Sequence, residues 1–124
     1  MNILSGRFKG TKINTSFKSI YRPTKSMVRK SLFDKLQSLE NKNFLDLFSG
    51  TGIMGFEASS RGANSIVFVE NDKNVVRLLN DNIKKFSKPY YKIYKMDYLE
   101  FLKKPLYFDL IFADPPYGVY DLRS

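Results

Sequence analysis

Two periods of apolar residues alternate along this chain. Short apolar runs of strand length occupy residues 43–48, 65–70, 90–95 and 109–113, each bounded by turn residues or charge. Between them the period lengthens. From Thr24 or Ser26, the residues Val28, Leu32, Phe33, Leu36 and Leu39 recur at helical spacing, predicting an amphipathic helix to about Glu40 with those side chains inward. Gly52 opens a second helix that ends at Arg61-Gly62, with Gly62 as a left-handed cap. Residues 72–86 read as a third helix, with Val75, Val76, Leu79 and Ile83 inward and Pro89 closing it; residues 98–103 read as a short fourth, stopped by Pro105. Ahead of all these, residues 3–13 predict two short strands around Lys9-Gly10, a hairpin presenting Arg7, Lys9 and Lys12, and Pro23 blocks helix upstream of Thr24.

Strands alternating with helices of this length imply right-handed βαβ crossovers, hence an α/β fold with a parallel sheet covered by helices on both faces. Ligands in such sheets bind at the carboxyl ends of the strands. The polar residues of interest fall there: residues 46–52 after the first strand, Glu70 and Asn71 after the second, Asp97 after the third and Asp114 after the fourth. Four strands contribute to one rim.

Composition narrows the chemistry. With no Cys and no His among 124 residues, disulfide frameworks, thiolate or imidazole metal sites and His-dependent acid-base catalysis are excluded. No apolar run is long enough for a membrane span and no secretory signal opens the chain, so a cytoplasmic, metal-independent protein is expected. The net charge of +9 is lopsided. Arg7, Lys9, Lys12, Lys18, Arg22, Lys25, Arg29 and Lys30 all precede the first acid, Asp34. An acid-free basic arm on a near-neutral domain is the footprint of phosphate-backbone binding, although a merely solvated surface has the same composition.

The run Gly50-Thr51-Gly52-Ile53-Met54-Gly55 satisfies the dinucleotide fingerprint G-x-G-x-x-G, with Glu70 at the distance for a ribose diol. Asp46, in Leu45-Asp46-Leu47-Phe48-Ser49-Gly50, argues against NAD: a carboxylate beside the loop repels a pyrophosphate and attracts the ammonium and sulfonium of S-adenosylmethionine. Three alternatives stay open: Asp46 as a loop cap, Glu70 as a helix-entry acid, and Asp97 as the N-cap of the following helix. Asp114-Pro115-Pro116-Tyr117, directly after an apolar strand, suits the grip of a flipped-out base by its exocyclic amine; the same string also suits a strand-ending turn.

Together these segments resemble a known family. Residues 4–10 (Leu-Ser-Gly-Arg-Phe-Lys-Gly), Arg22-Pro23-Thr24, Val28-Arg29, residues 45–52, Glu57-Ala58, Ser60-Arg61-Gly62-Ala63, Val69-Glu70 and residues 114–117 are similar, in order and spacing, to bacterial 16S rRNA (guanine-N2)-methyltransferases of the RsmD type. The resemblance implies a Rossmann-like methyltransferase sheet in the order 3-2-1-4, with later strands missing because only seven residues follow Tyr117. It implies a basic arm over residues 1–23 and a methyltransferase domain over 24–124. It also implies S-adenosyl-L-methionine held by Asp46, Phe48, Ser49, Gly50, Thr51, Gly52, Glu70, Asn71 and Asp97. Asp114, Pro115, Pro116 and Tyr117 would address the guanine, and Arg7, Lys9, Lys12, Arg22, Thr24 and Arg29 the RNA. The implied partner is 16S rRNA or a partly assembled small subunit, with self-association through the exposed sheet edge. Adenine-N6 methylation of DNA, methylation of a glutamine amide and an inert RNA-binding remnant are the alternatives.

Overall fold

A computed structural model describes residues 1–15, 26–36, 38–86 and 90–114. Its elements are α1 (Ser26–Leu36), β1 (Asn43–Leu47), α2 (Ile53–Ser60), β2 (Ser65–Val69), α3 (Lys73–Ile83), β3 (Tyr90–Tyr94), α4 (Tyr98–Phe101) and β4 (Leu110–Ala113). The four strands form one sheet in the order β3-β2-β1-β4, parallel throughout, as the resemblance implies. Register levels their ends: Leu47 pairs with both Val69 and Ala113, and Val69 with Tyr94.

The sheet is apolar on both faces, as buried parallel strands require. On one side Phe33, Phe44, Phe56, Ile66, Phe68, Leu79 and Phe86 pack among α1, α2 and α3. On the other, Leu45, Leu47, Val67 and Val69 pack with Phe101 of α4. Gly55 brings α2 hard against β2, since a Cβ there would strike the Phe68 ring. Gly62 has the expected positive φ, 113°, just past α2.

Three expectations need correction. The first concerns α1, which buries Arg29 and Phe33, while Val28 is 58% and Leu32 37% exposed. The helix is rotated to bring the Arg29 guanidinium onto Glu57 of α2, a buried partner that no apolar period reveals. The second concerns the N-terminal hairpin, which has one antiparallel bridge, Asn2 with Lys12, in place of two strands. Ile3 N–H still donates across it to Thr11 O at 3.0 Å and Ile13 N–H to Met1 O at 2.8 Å. Other peptide groups bond to α2: Leu4 and Ser5 N–H donate to the Glu57 carboxylate, and Arg7 N–H donates to Ser60 O at 2.8 Å. Ile3 and Ile13 of this segment are buried in the same core as α2 and α3, so the described part of the arm and the sheet share a core. The third is that the helices are shorter than their periods predict: α3 ends at Ile83 and α4 at Phe101.

Candidate cofactor cleft and its rim

Phe48, Glu70, Lys95 and Asp114 each follow the last residue of a strand, so the level register brings their backbones to one edge of the sheet. The loop from β1 to α2 is tightly bent. Phe48 has φ of 60° and Gly52 has φ of 83°, the first a costly conformation for an aromatic residue and the second natural for glycine. A Cβ at Gly52 would lie 2.6 Å from Leu79, so only glycine lets the loop sit this close to α3.

Internal bonds hold the loop. Ser49 Oγ donates to Asp46 O at 2.6 Å, and Ser49 N–H donates to Val69 O at 3.2 Å. Gly50 N–H donates to Glu70 Oε1 at 3.2 Å, while Asp72 N–H donates to Glu70 Oε2 at 3.2 Å. The Glu70 carboxylate therefore spans the glycine loop and the turn into α3. Helix entry falls to Asp72, which accepts from Asn74 and Val75 N–H. Glu70 is thus not the cap of α3.

Asp46 has a different place from the one its charge suggests. It is buried, and Oδ2 accepts from Gly55 N–H at 3.1 Å, so the side chain braces β1 against the first turn of α2 rather than facing solvent. Burial pushes its pKa well above the ordinary 3.8, the Gly55 N–H opposes that, and the charges of Glu70 and Asp114 add to the rise. Glu70 and Asp114 therefore both lie within electrostatic reach of Asp46.

A cleft at this rim is lined by Phe48, Val69, Glu70, Asn71, Met96 and Tyr98. The Phe48 and Tyr98 rings stand 4.8 Å apart between centroids. Met96 and Tyr98 escape a search for charged motifs; the signal for Tyr98 is its position just after the Asp97 cap, which starts α4 at the rim. Asp97 caps that helix, accepting from Leu99 N–H at 3.0 Å. Thr51 is buried, and its carbonyl accepts from Asn82 Nδ2 at 3.1 Å. Asn82, wholly buried on α3, also exchanges two bonds with the Asn14 backbone, joining the arm to the glycine loop. Asp114 is exposed; Pro115, Pro116 and Tyr117 lie outside the described residues, as do Arg22 and Thr24.

The expected RNA contacts divide. Lys9 and Lys12 are exposed. Arg7 donates to Ser59 O at 3.2 Å and Ala63 O at 3.4 Å, at the end of α2 away from the rim. Arg29 is corrected outright: only 1% exposed, it pairs with Glu57 at 3.3 Å and donates to Asn2 O at 2.7 Å, so it has no surface to offer a phosphate. Among the described residues no helix is long and apolar enough to cross a membrane, and no His, Cys, Asp and Glu cluster is arranged to hold a metal ion.

The profile of a family described as Conserved hypothetical protein 95 matches residues 1–123. The chain belongs to that family. It is 40% identical over 120 residues to a protein of Buchnera aphidicola named ribosomal RNA small subunit methyltransferase D, covering 93% of this chain and 62% of that protein. A Haemophilus influenzae protein of the same name is 35% identical, with 94% and 64% covered. Among solved structures, an Escherichia coli chain provisionally named a methyltransferase superposes with a TM-score of 0.81 at 27% identity, covering 94% of this chain and 64% of that one. A precorrin-6Y methyltransferase from Geobacter metallireducens, with a TM-score of 0.71 at 23% identity, shares the Rossmann-like fold. The family member described here thus spans less than two thirds of the length of the relatives it matches.

Proposed function

We propose that this chain carries the cofactor-binding part of an S-adenosylmethionine-dependent methyltransferase whose target is the exocyclic N2 of a guanine in 16S rRNA. The observation that carries the reading is the level row Leu47, Val69, Tyr94 and Ala113, from which the glycine loop, Glu70 and Asp114 emerge side by side. The names of the relatives supply the polymer.

The residues present fit the cofactor. Glu70 has one protein donor on each oxygen, leaving lone pairs to accept from a ribose diol. Phe48, Met96 and Tyr98 offer apolar and aromatic walls to a purine. The carboxyl groups of Glu70 and Asp114, at the strand ends, favour a ligand with an ammonium and a sulfonium. When bound, S-adenosylmethionine supplies an electrophilic methyl group.

Asp114 is the residue for the substrate. Exposed at the rim, its carboxylate is free to accept an N–H of a flipped-out base amine and to hold the nitrogen lone pair toward the cleft. Rate then depends mainly on positioning. The test is methyl incorporation into small-subunit rRNA or partly assembled subunits, followed by digestion to nucleosides. N2-methylguanosine is expected. N6-methyladenine formed from a DNA substrate overturns the reading.

A further inference from the structure

Folding redistributes the positive charge that the sequence concentrates in its first 33 residues. Arg7 is held on carbonyls of the α2 terminus, Arg29 on Glu57, and Lys30 on Asp34 at 2.7 Å. Other exposed lysines have no such commitment, and two of them converge on one ring at the edge strand β3.

Side chains alternate along β3. Tyr91 and Ile93 pack against the large core, which turns Tyr90, Lys92 and Tyr94 to the α4 side. Lys92 Nζ lies 4.8 Å from the Tyr94 ring centroid, and Lys104 Nζ, from the segment after α4, lies 5.6 Å from the same centroid. Two ammonium groups thus share one ring. Nearby acids are engaged elsewhere: Glu100 pairs with Lys103 at 3.3 Å, Asp97 caps α4, and Asp109 accepts from Asn43 N–H at 2.7 Å. Among the described residues neither Lys92 nor Lys104 has a carboxylate partner. Lys95, also exposed, is the first residue after β3 and precedes the cleft residue Met96 in the chain.

An edge strand often carries lysine to discourage pairing with other strands. That accounts for Lys92. It does not account for Lys104, which comes from a different element and adds a like charge to the same ring, nor for the bare rings of Tyr90 (64% exposed) and Tyr107 (77%). Like charges held together are relieved by a polyanion, and exposed aromatic faces suit unpaired bases. Both properties belong to single-stranded RNA. We propose that β3 and the segment after α4 form a phosphate-binding surface for single-stranded RNA. The inference deepens the rRNA reading and rests on it only for the identity of the polymer.

Fluorescence anisotropy of the full chain with a labelled single-stranded RNA of about ten nucleotides, a length within the usual site size, tests it. Lys92→Glu/Lys104→Glu should weaken binding at least about tenfold near 0.1 M salt and lower the log-log salt slope by about 2. Lys92→Gln/Lys104→Gln should move both in the same direction by less. Lys35→Glu/Lys42→Glu, which changes net charge equally on exposed positions elsewhere, should leave the slope within about 0.5 of the unmodified chain. Equal effects of the two glutamate pairs, or an unchanged slope in the first, overturn the proposal. So does binding through this surface to anionic phosphatidylserine vesicles in place of RNA. RNA bound here without any methyl transfer would sink the enzymatic reading and leave this one standing; methyl transfer and RNA affinity both indifferent to the lysine pair would do the reverse.

Discussion

Glu57 holds more of this fold together than any charge-counting along the sequence suggests. Its carboxylate accepts from Leu4 N–H, Ser5 N–H, Arg29 Nε and Arg61 Nε, so one side chain joins the arm, α1 and α2. Glu57→Ala leaves the Arg29 guanidinium buried and short of its carboxylate, and should cost about 3–5 kcal/mol, read as a lowered midpoint in urea. A loss under about 1 kcal/mol would show that Arg29 finds other partners. Asp46 is a case of opposite sign. Its folded pKa is raised, chiefly by burial, so its stability contribution is complete below the ordinary carboxylate value of 3.8 and declines as pH rises through the raised one. Asp46→Asn should therefore flatten the dependence of Tm on pH above about 4 and gain on the parent toward neutrality. Parallel Tm profiles would show that the carboxyl is not the titrating group. At this scale the glycines were legible, because a positive φ or a close approach excludes most alternatives. Arg29 was not: a basic residue in a basic stretch looks like surface until its buried partner, 28 positions away, is seen.

Elements were legible wherever apolar residues recur in runs or at helical spacing. The four strands, their parallel pairing and the α3 stripe follow from periodicity and from the handedness of crossovers, while the strand order comes from the family resemblance. The N-terminal segment was legible only as a hairpin, since several of its peptide groups bond to side chains and carbonyls of α2, contacts that have no period. Its Gly6 also sits so close to Ser60 that a Cβ there would overlap the Ser60 carbonyl. The segment is consequently structural as well as basic. Removing residues 1–14 should lower stability sharply, not merely reduce RNA affinity, because Ile3 and Ile13 leave the core with it. Ile13→Ala alone should cost about 2–5 kcal/mol in a thermal or urea melt. An unchanged melt after the truncation would mean that α2 and α3 close over the gap.

For the whole molecule, the rim was legible because strand ends in a parallel sheet must gather; the capping role of Asp97 and the inward turn of Asp46 depend on hydrogen bonds that the sequence leaves open. The sheet ends at β4, which pairs only with β1 among the described residues, and Ile111 there is 59% exposed. Such an edge favours pairing with another copy, so light scattering on the purified chain should detect self-association. A monodisperse monomer would show that the edge is covered. The central claim is that the rim binds S-adenosylmethionine through Glu70 while Asp114 serves the substrate. Isothermal titration with S-adenosylhomocysteine, comparing the parent chain with Glu70→Ala and Asp114→Ala, addresses it most directly. The account predicts that Glu70→Ala weakens binding at least about tenfold, near 1.4 kcal/mol, and that Asp114→Ala changes it less than about threefold. Tight NAD binding with no response to S-adenosylhomocysteine, or equal loss in both variants, would contradict it.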